Sequence, residues 1–174
     1  MRKDVLDLLK ARYAEPHRRY HTLEHIEHCL REFDSRQARD PEAVELAIWF
    51  HDAVYDTRRS DNEERSAAWL LELLPEAKRA AELILVTKHH RASTPDEALL
   101  VDVDLAILGQ PAEVFDRYEK QIREEYAWVP KLIFRRKRKK ILRGFLERPF
   151  IYGTEVFRAK YEAAARANLL RSTS

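Results

Sequence analysis

Cysteine is almost missing from this chain: Cys29 stands alone among 174 residues, which excludes an internal disulfide and suggests a reducing compartment. Glycine occurs three times and proline seven. That is little turn material for a protein of many hairpins, so long helices are expected. No apolar run is long enough to span a bilayer, and the start, Met1-Arg2-Lys3-Asp4, offers no apolar signal segment; the expected location is cytoplasmic. An excess of one charge is lacking as well. Lys and Arg number 32 against 30 Asp and Glu, so no global field argues for nucleic acid or membrane, and neither is expected as a partner.

What is present is a helical pattern. Hydrophobic residues make up 45% and charged residues 36%, a balance that suits a solvated shell of helices over one core. A chain of this length buries roughly 70% of its unfolded surface. The spacing predicts a first helix over about 3–13 and a second from near Thr22, with Ile26, Leu30 and Phe33 inward. Asp40-Pro41 reads as an N-cap followed by proline at the first helical position of a third helix, to about Tyr55. Asp61 with Glu64 resembles a capping box for a fourth, ending near Leu74. Pro75 opens a fifth that reaches His89, and Thr94-Pro95 a sixth that Gly109 closes. Pro111, Pro130 and Thr154 begin three more, ending near Tyr126, Leu146 and Leu170. No repeat, linker or low-complexity stretch interrupts the pattern. The expectation is an all-α fold, one compact helical bundle over residues 1–174.

Three segments carry chemistry. In Tyr20-His21-Thr22-Leu23-Glu24-His25, His25 and Cys29 share a helix face and His21 sits at the helix's N-terminal edge. Imidazoles there suit metal ligation or proton donation, because their ordinary pKa lies near neutrality. By itself the segment also fits a histidine-decorated surface. The dyad His51-Asp52 follows Ala47-Ile48-Trp49-Phe50, with His51 on the apolar stripe of its own helix. An ionised aspartate in such surroundings is costly unless paired or metal-bound. Two adjacent helical side chains, about 100° apart, can grip one ion from two directions. In Val101-Asp102-Val103-Asp104-Leu105, two acids interrupt an apolar helix and point to nearly opposite sides. Periodicity leaves open which of Asp102 and Asp104 enters the core.

Taken together these segments resemble the HD-domain superfamily of metal-dependent phosphohydrolases, whose ligands run His … His-Asp … Asp. The resemblance implies a helical bundle of that type with His25, His51, Asp52 and Asp104 as metal ligands. Asp104 is preferred to Asp102 because Val103-Asp104-Leu105 is more similar to the family's last motif. Tyr20-His21 … His25 also looks like the cyclic-nucleotide phosphodiesterase branch, where the first histidine donates a proton and the second binds metal. His21 is thereby implied as general acid. Phe50-His51-Asp52-Ala53-Val54-Tyr55-Asp56, Asp61-Asn62-Glu63-Glu64-Arg65-Ser66-Ala67, Thr87-Lys88-His89-His90 and Asp104-Leu105-Ala106-Ile107-Leu108-Gly109 are similar to a small bacterial, mostly uncharacterised branch of the superfamily. With Arg123-Glu124-Glu125-Tyr126 and Ala165-Arg166-Ala167-Asn168-Leu169, that likeness spans nearly the whole chain. One departure is visible: Tyr55-Asp56 stands where guanosine-tetraphosphate hydrolases of the superfamily carry a Glu-Asp pair, which argues against that substrate.

Two imidazoles and two carboxylates suit a divalent ion such as Mn, Fe, Ni, Co, Zn or Mg. Such an ion lowers the pKa of its water from about 15.7 towards about 7. The reaction that the resemblance implies is hydrolysis of a phosphate ester of a nucleotide or small phosphorylated metabolite. The resemblance implies that such an ion would activate a water, with Asp52 orienting it and His21 protonating the departing alkoxide. Lys88 and His90 are expected at the substrate phosphate. His89 and His90 raise a second metal as an alternative, though a polar helix end accounts for them too. Glu63 and Glu64 read as capping and surface residues.

The run Arg135-Arg136-Lys137-Arg138-Lys139-Lys140 sweeps about 600° around a helix, so it cannot face water throughout. Arg138 lies on the inward stripe with Phe134, Ile141 and Leu142. It is expected either to pair with a carboxylate or to reach the substrate phosphate. Two alternatives to the phosphohydrolase remain: a di-iron oxygenase with additional ligands from His89, His90 and Asp56, and a non-catalytic nucleic-acid-binding module built on the basic run. The number of chains in the assembly is open, a homodimer included.

Overall fold

The computed structural model describes residues 2–174. Among them are nine α-helices and no strand, so the chain is all-α. It divides into two compact units, Met1–Asp104 and Leu105–Ser174.

The first unit holds α1 (Lys3–Tyr13), α2 (Leu23–Glu32), α3 (Pro41–Phe50), α4 (Asn62–Leu73), α5 (Lys78–Thr87) and α6 (Pro95–Asp104). Helix α3 is its centre and packs on α2, α4, α5 and α6. Its composition explains this: Val44, Ala47, Ile48 and Phe50 are fully buried, and a helix apolar on most sides must be enclosed. The start is as the sequence predicts, with the Asp40 carboxylate accepting from the Ala43 amide at 3.0 Å and Pro41 at the first position. At the start of α6, buried Asp96 accepts from the backbone amides of Arg39 and Asp40 at 2.7 and 3.2 Å, which ties α6 to the entrance of α3.

Several boundaries differ from the sequence expectation for tertiary reasons. Helix α3 ends at Phe50 rather than near Tyr55. Arg18 takes the carbonyls of Asp52 and Ala53, and the Ser66 hydroxyl accepts from the Val54 amide. The capping box at α4 does not form. Asp61 makes no cap and is held by Arg59, while Glu64 is held by Lys88. Helix α5 starts three residues after Pro75 and stops at Thr87, whose hydroxyl turns back to the Ile84 carbonyl at 2.8 Å. Helix α6 stops at Asp104 instead of running on to Gly109.

The second unit begins with a 3₁₀ segment, Leu105–Gly109, followed by α7 (Ala112–Glu125), α8 (Lys131–Leu146) and α9 (Glu155–Thr173). Tyr152 donates to the Leu105 carbonyl at 3.0 Å, and the buried Asn168 amide donates to the carbonyls of Leu108 and Gln110 at 2.9 Å each. These side chains satisfy acceptors that a regular helix would have paired internally. No glycine has a positive φ, so Gly109 does not act through a left-handed cap. A Cβ there would lie 2.5 Å from the Tyr161 Cβ; the close approach of α9 is what requires glycine. Thr154 caps α9 as the sequence predicts, accepting from the Phe157 amide.

Candidate metal centre

The site lies in the first unit, where α2, α3 and α6 meet. Helix α2 supplies His25 from its buried face. The turn that follows α3 supplies His51 and Asp52, and the C-terminal end of α6 supplies Asp104. The His25 and His51 side chains are 1% and 2% exposed, against 18% for Asp52 and 15% for Asp104. The imidazoles are thus enclosed, and the carboxylates lie nearer to solvent.

Four atoms converge. His25 Nε2 lies 3.2 Å from His51 Nε2, 3.5 Å from Asp52 Oδ2 and 3.3 Å from Asp104 Oδ1. His51 Nε2 lies 3.0 Å from the same Asp52 oxygen and 3.6 Å from the same Asp104 oxygen. Donors about 2.0–2.1 Å from a common tetrahedral ion would stand about 3.3 Å apart, so the donor set fits a divalent cation. Orientation agrees with spacing. His51 Nδ1 donates to the Ile48 carbonyl at 2.9 Å, which leaves the Nε2 lone pair aimed at the centre, the arrangement outer-shell partners impose on metal-ligating histidines.

The electrostatics point the same way. Burial pushes the Asp52 carboxyl up, but His51, His21 and His25 hold it well below the usual carboxylate range. Burial likewise opposes ionisation of Asp104, and hydrogen bonds from His25, His51 and His90 overcome it. Burial pushes the His25 imidazole down, yet Cys29, Tyr20 and the two carboxylates raise it well above its ordinary value. For His51, burial is outweighed by Asp52 and Asp104 in the same way. Two ionised acids surrounding two imidazoles make a pocket that demands about two positive charges, which protons or one divalent ion can provide.

The other sequence-predicted residues are placed as follows. His21 stacks on Tyr55 with ring centroids 4.0 Å apart, and its own ring lies 6.0 Å from that of His25. It is one of the groups that lower the Asp52 carboxyl. Asp102 is fully buried outside the four-donor group, so the structure brings Asp104 and not Asp102 to the centre. His90 is the one non-glycine residue with a left-handed backbone among the described residues, at φ 48°. That conformation, a local strain of a kind that clusters at functional sites, accompanies a contact of 3.0 Å between its Nε2 and the second oxygen of Asp104. Lys88 is held by Glu64 and by the Ser60 carbonyl at 2.7 Å. His89 is exposed, and Asp56 accepts from the Arg58 amide at 2.9 Å. Arg138, in the second unit, donates to Glu119 at 3.0 Å and to the Tyr118 hydroxyl at 2.6 Å. Cys29 lies 3.7 Å from His25 Nδ1, and with His25 and Asp104 it forms a second group of close donors.

Arg18 is a site residue that periodicity does not reveal. It is 3% exposed, and its guanidinium donates to the carbonyls of His21 at 3.0 Å, Asp52 at 2.7 Å and Ala53 at 3.0 Å, and to Glu15 at 3.1 Å. It also lies over the rings of Tyr13 and Tyr55. One side chain therefore locks the His21 turn to the His51-Asp52 turn. The sequence shows only an arginine beside another arginine in a loop; no pattern there marks it.

Comparisons with models of protein families, with curated proteins and with solved structures find no match for this chain. No helix among the described residues is long and apolar enough to cross a membrane.

Proposed function

We propose that the chain is a metal-dependent phosphohydrolase acting on a phosphate ester of a nucleotide or small phosphorylated metabolite. The observation that carries this reading is that Asp52 and Asp104 each lie 3.0–3.6 Å from both His25 and His51, whose own rings meet at 3.2 Å, the order and residue types that resemble the HD-domain superfamily. A divalent ion held there would act as a Lewis acid on a phosphoryl oxygen and lower the pKa of a water.

The chain's own residues supply the rest. Asp52, the more exposed of the two carboxylates, accepts a hydrogen bond from the attacking water. His21 gives its proton to the departing oxygen. Tyr55 fixes the plane of the His21 ring by stacking, and Arg18 fixes its backbone. His90 holds the outer oxygen of Asp104 and so orients that ligand. Lys88 reaches substrate phosphate only by leaving Glu64. Arg138 serves the fold through Glu119 and Tyr118.

The test is a metal screen. The protein is stripped with chelator, reloaded separately with Mn, Fe, Co, Ni, Zn and Mg, and assayed on nucleotides and on a generic phosphodiester. Activity that returns with at least one ion, together with near-complete loss of bound metal in His51→Ala and Asp104→Ala, supports the proposal. Full activity in chelator, or full metal content in both variants, refutes it. A second reading, a di-iron oxygenase on the same scaffold, is favoured by the His90 contact with Asp104, which places an extra nitrogen donor beside the carboxylate. Oxygen uptake by anaerobically purified, iron-loaded protein, with no phosphate released from any ester, would select that reading.

A further inference from the structure

Helix α8 is distinctive in charge. Its sequence, KLIFRRKRKKILRGFL, carries eight basic residues and no acidic one. Three of the eight have partners: Arg138 pairs with Glu119, while Lys139 and Arg143 donate to carbonyls of Ser174 and Thr173. The remaining five, Lys131, Arg135, Arg136, Lys137 and Lys140, are exposed and make no hydrogen bond or ion pair among the described residues. Like charges at i,i+4, such as Arg136 with Lys140, oppose helix formation. The helix is held instead by its inward side, where Leu142 and Phe145 are buried.

The same outward face bears apolar side chains. Leu132 is 82% exposed and Ile133 50%; Trp128, in the turn before the helix, is 49% exposed. At about 100° per residue, Leu132 and Ile133 flank the ridge of Arg136 and Lys140. Large apolar groups left in water beside unneutralised cations signal a partner that is both apolar and anionic. A second copy of the chain presenting this face would meet like charge. A nucleic acid would neutralise the cations and leave Leu132 and Ile133 in water. An anionic bilayer satisfies both, with phosphates at the headgroup level and hydrocarbon just beneath.

We propose that the outward face of α8, together with Trp128, docks on the surface of an anionic lipid bilayer, cations at the headgroups and Leu132, Ile133 and Trp128 at the acyl boundary. This is independent of the hydrolase reading. The near balance of charge over the whole chain hides the face, because its acids lie elsewhere.

The experiment is sedimentation of the full chain with vesicles. One set contains equal parts phosphatidylcholine and phosphatidylglycerol, and the other phosphatidylcholine alone. Binding is expected to the anionic set only, and to be lost in about 1 M salt, where the screening length is about 3 Å. Charge reversal in R136E/K137E/K140E should abolish it. L132S/I133S should weaken it about tenfold or more, with helical content checked by circular dichroism. Equal binding to both vesicle types overturns the proposal, as does absence of binding by the wild type. Undiminished binding by L132S/I133S, or tighter binding to duplex DNA at matched phosphate concentration, overturns it equally.

Discussion

Arg18 and Asp52 are 34 positions apart, yet the Arg18 guanidinium donates to the Asp52 backbone carbonyl at 2.7 Å. The same group donates to the His21 and Ala53 carbonyls. A ligand-bearing turn and the segment carrying the proposed proton donor are thereby fixed to each other by one buried cation.

Arg18→Ala leaves three carbonyls and Glu15 without their donor in a buried place, and should cost on the order of 3 kcal/mol of stability, measured by denaturant unfolding. Arg18→Lys keeps the charge but not the planar fork. It is expected to fold and bind metal while losing turnover, because the His21 turn is no longer held. Wild-type stability in both variants would refute this account.

His21→Ala should lower turnover by about 10²–10⁴-fold, the usual contribution of a general acid, with metal content unchanged. Parallel metal analysis and single-turnover assays test it. A variant as active as wild type excludes His21 as the proton donor.

The cluster also sets a pH dependence. His25 and His51 have folded-state pKa values raised above the ordinary imidazole value. Their stabilisation is complete below about pH 6.5 and is lost as pH rises through the raised values. Asp52 and Asp104 are depressed. Theirs is complete above about pH 4 and lost as pH falls through the depressed values. The metal-free cluster therefore stabilises the fold best between about pH 4 and about 6.5. A divalent ion competes with the histidine protons, so its binding should strengthen as pH rises. The difference in Tm between metal-loaded and chelator-treated protein is expected to grow from about pH 6 to about 8. A difference that shrinks over that range would sink the metal assignment.

Arg138→Ala removes hydrogen bonds to Glu119 and Tyr118 and should lower stability by about 1.5–3 kcal/mol, with the Michaelis constant unaltered. Thermal unfolding and steady-state kinetics on the same preparation separate the two effects. A raised Michaelis constant at wild-type stability would instead assign Arg138 to substrate.

Periodicity located the helices because each buries one stripe, and that stripe is written in the order of apolar residues. The limits of α1, the Asp40 and Thr154 caps and the inward place of His51 follow from local rules alone. Where helices stop is different. Phe50 ends α3 because Arg18 and Ser66 reach in from distant sequence, and Asp104 ends α6 where a 3₁₀ segment, its carbonyls served by Tyr152 and Asn168, takes over. Both ends carry site residues.

By itself, then, the order of residues determined an all-helical chain and the identities of the acids and imidazoles that burial makes costly, since both depend on neighbours within a few turns. Tertiary structure placed Asp104 rather than Asp102 beside His25 and His51, turned His90 onto Asp104, brought Arg18 to the two turns and left five of the eight α8 cations unpartnered. Each of these depends on the direction of a side chain in space relative to residues tens of positions away, which the pitch of a single helix does not encode.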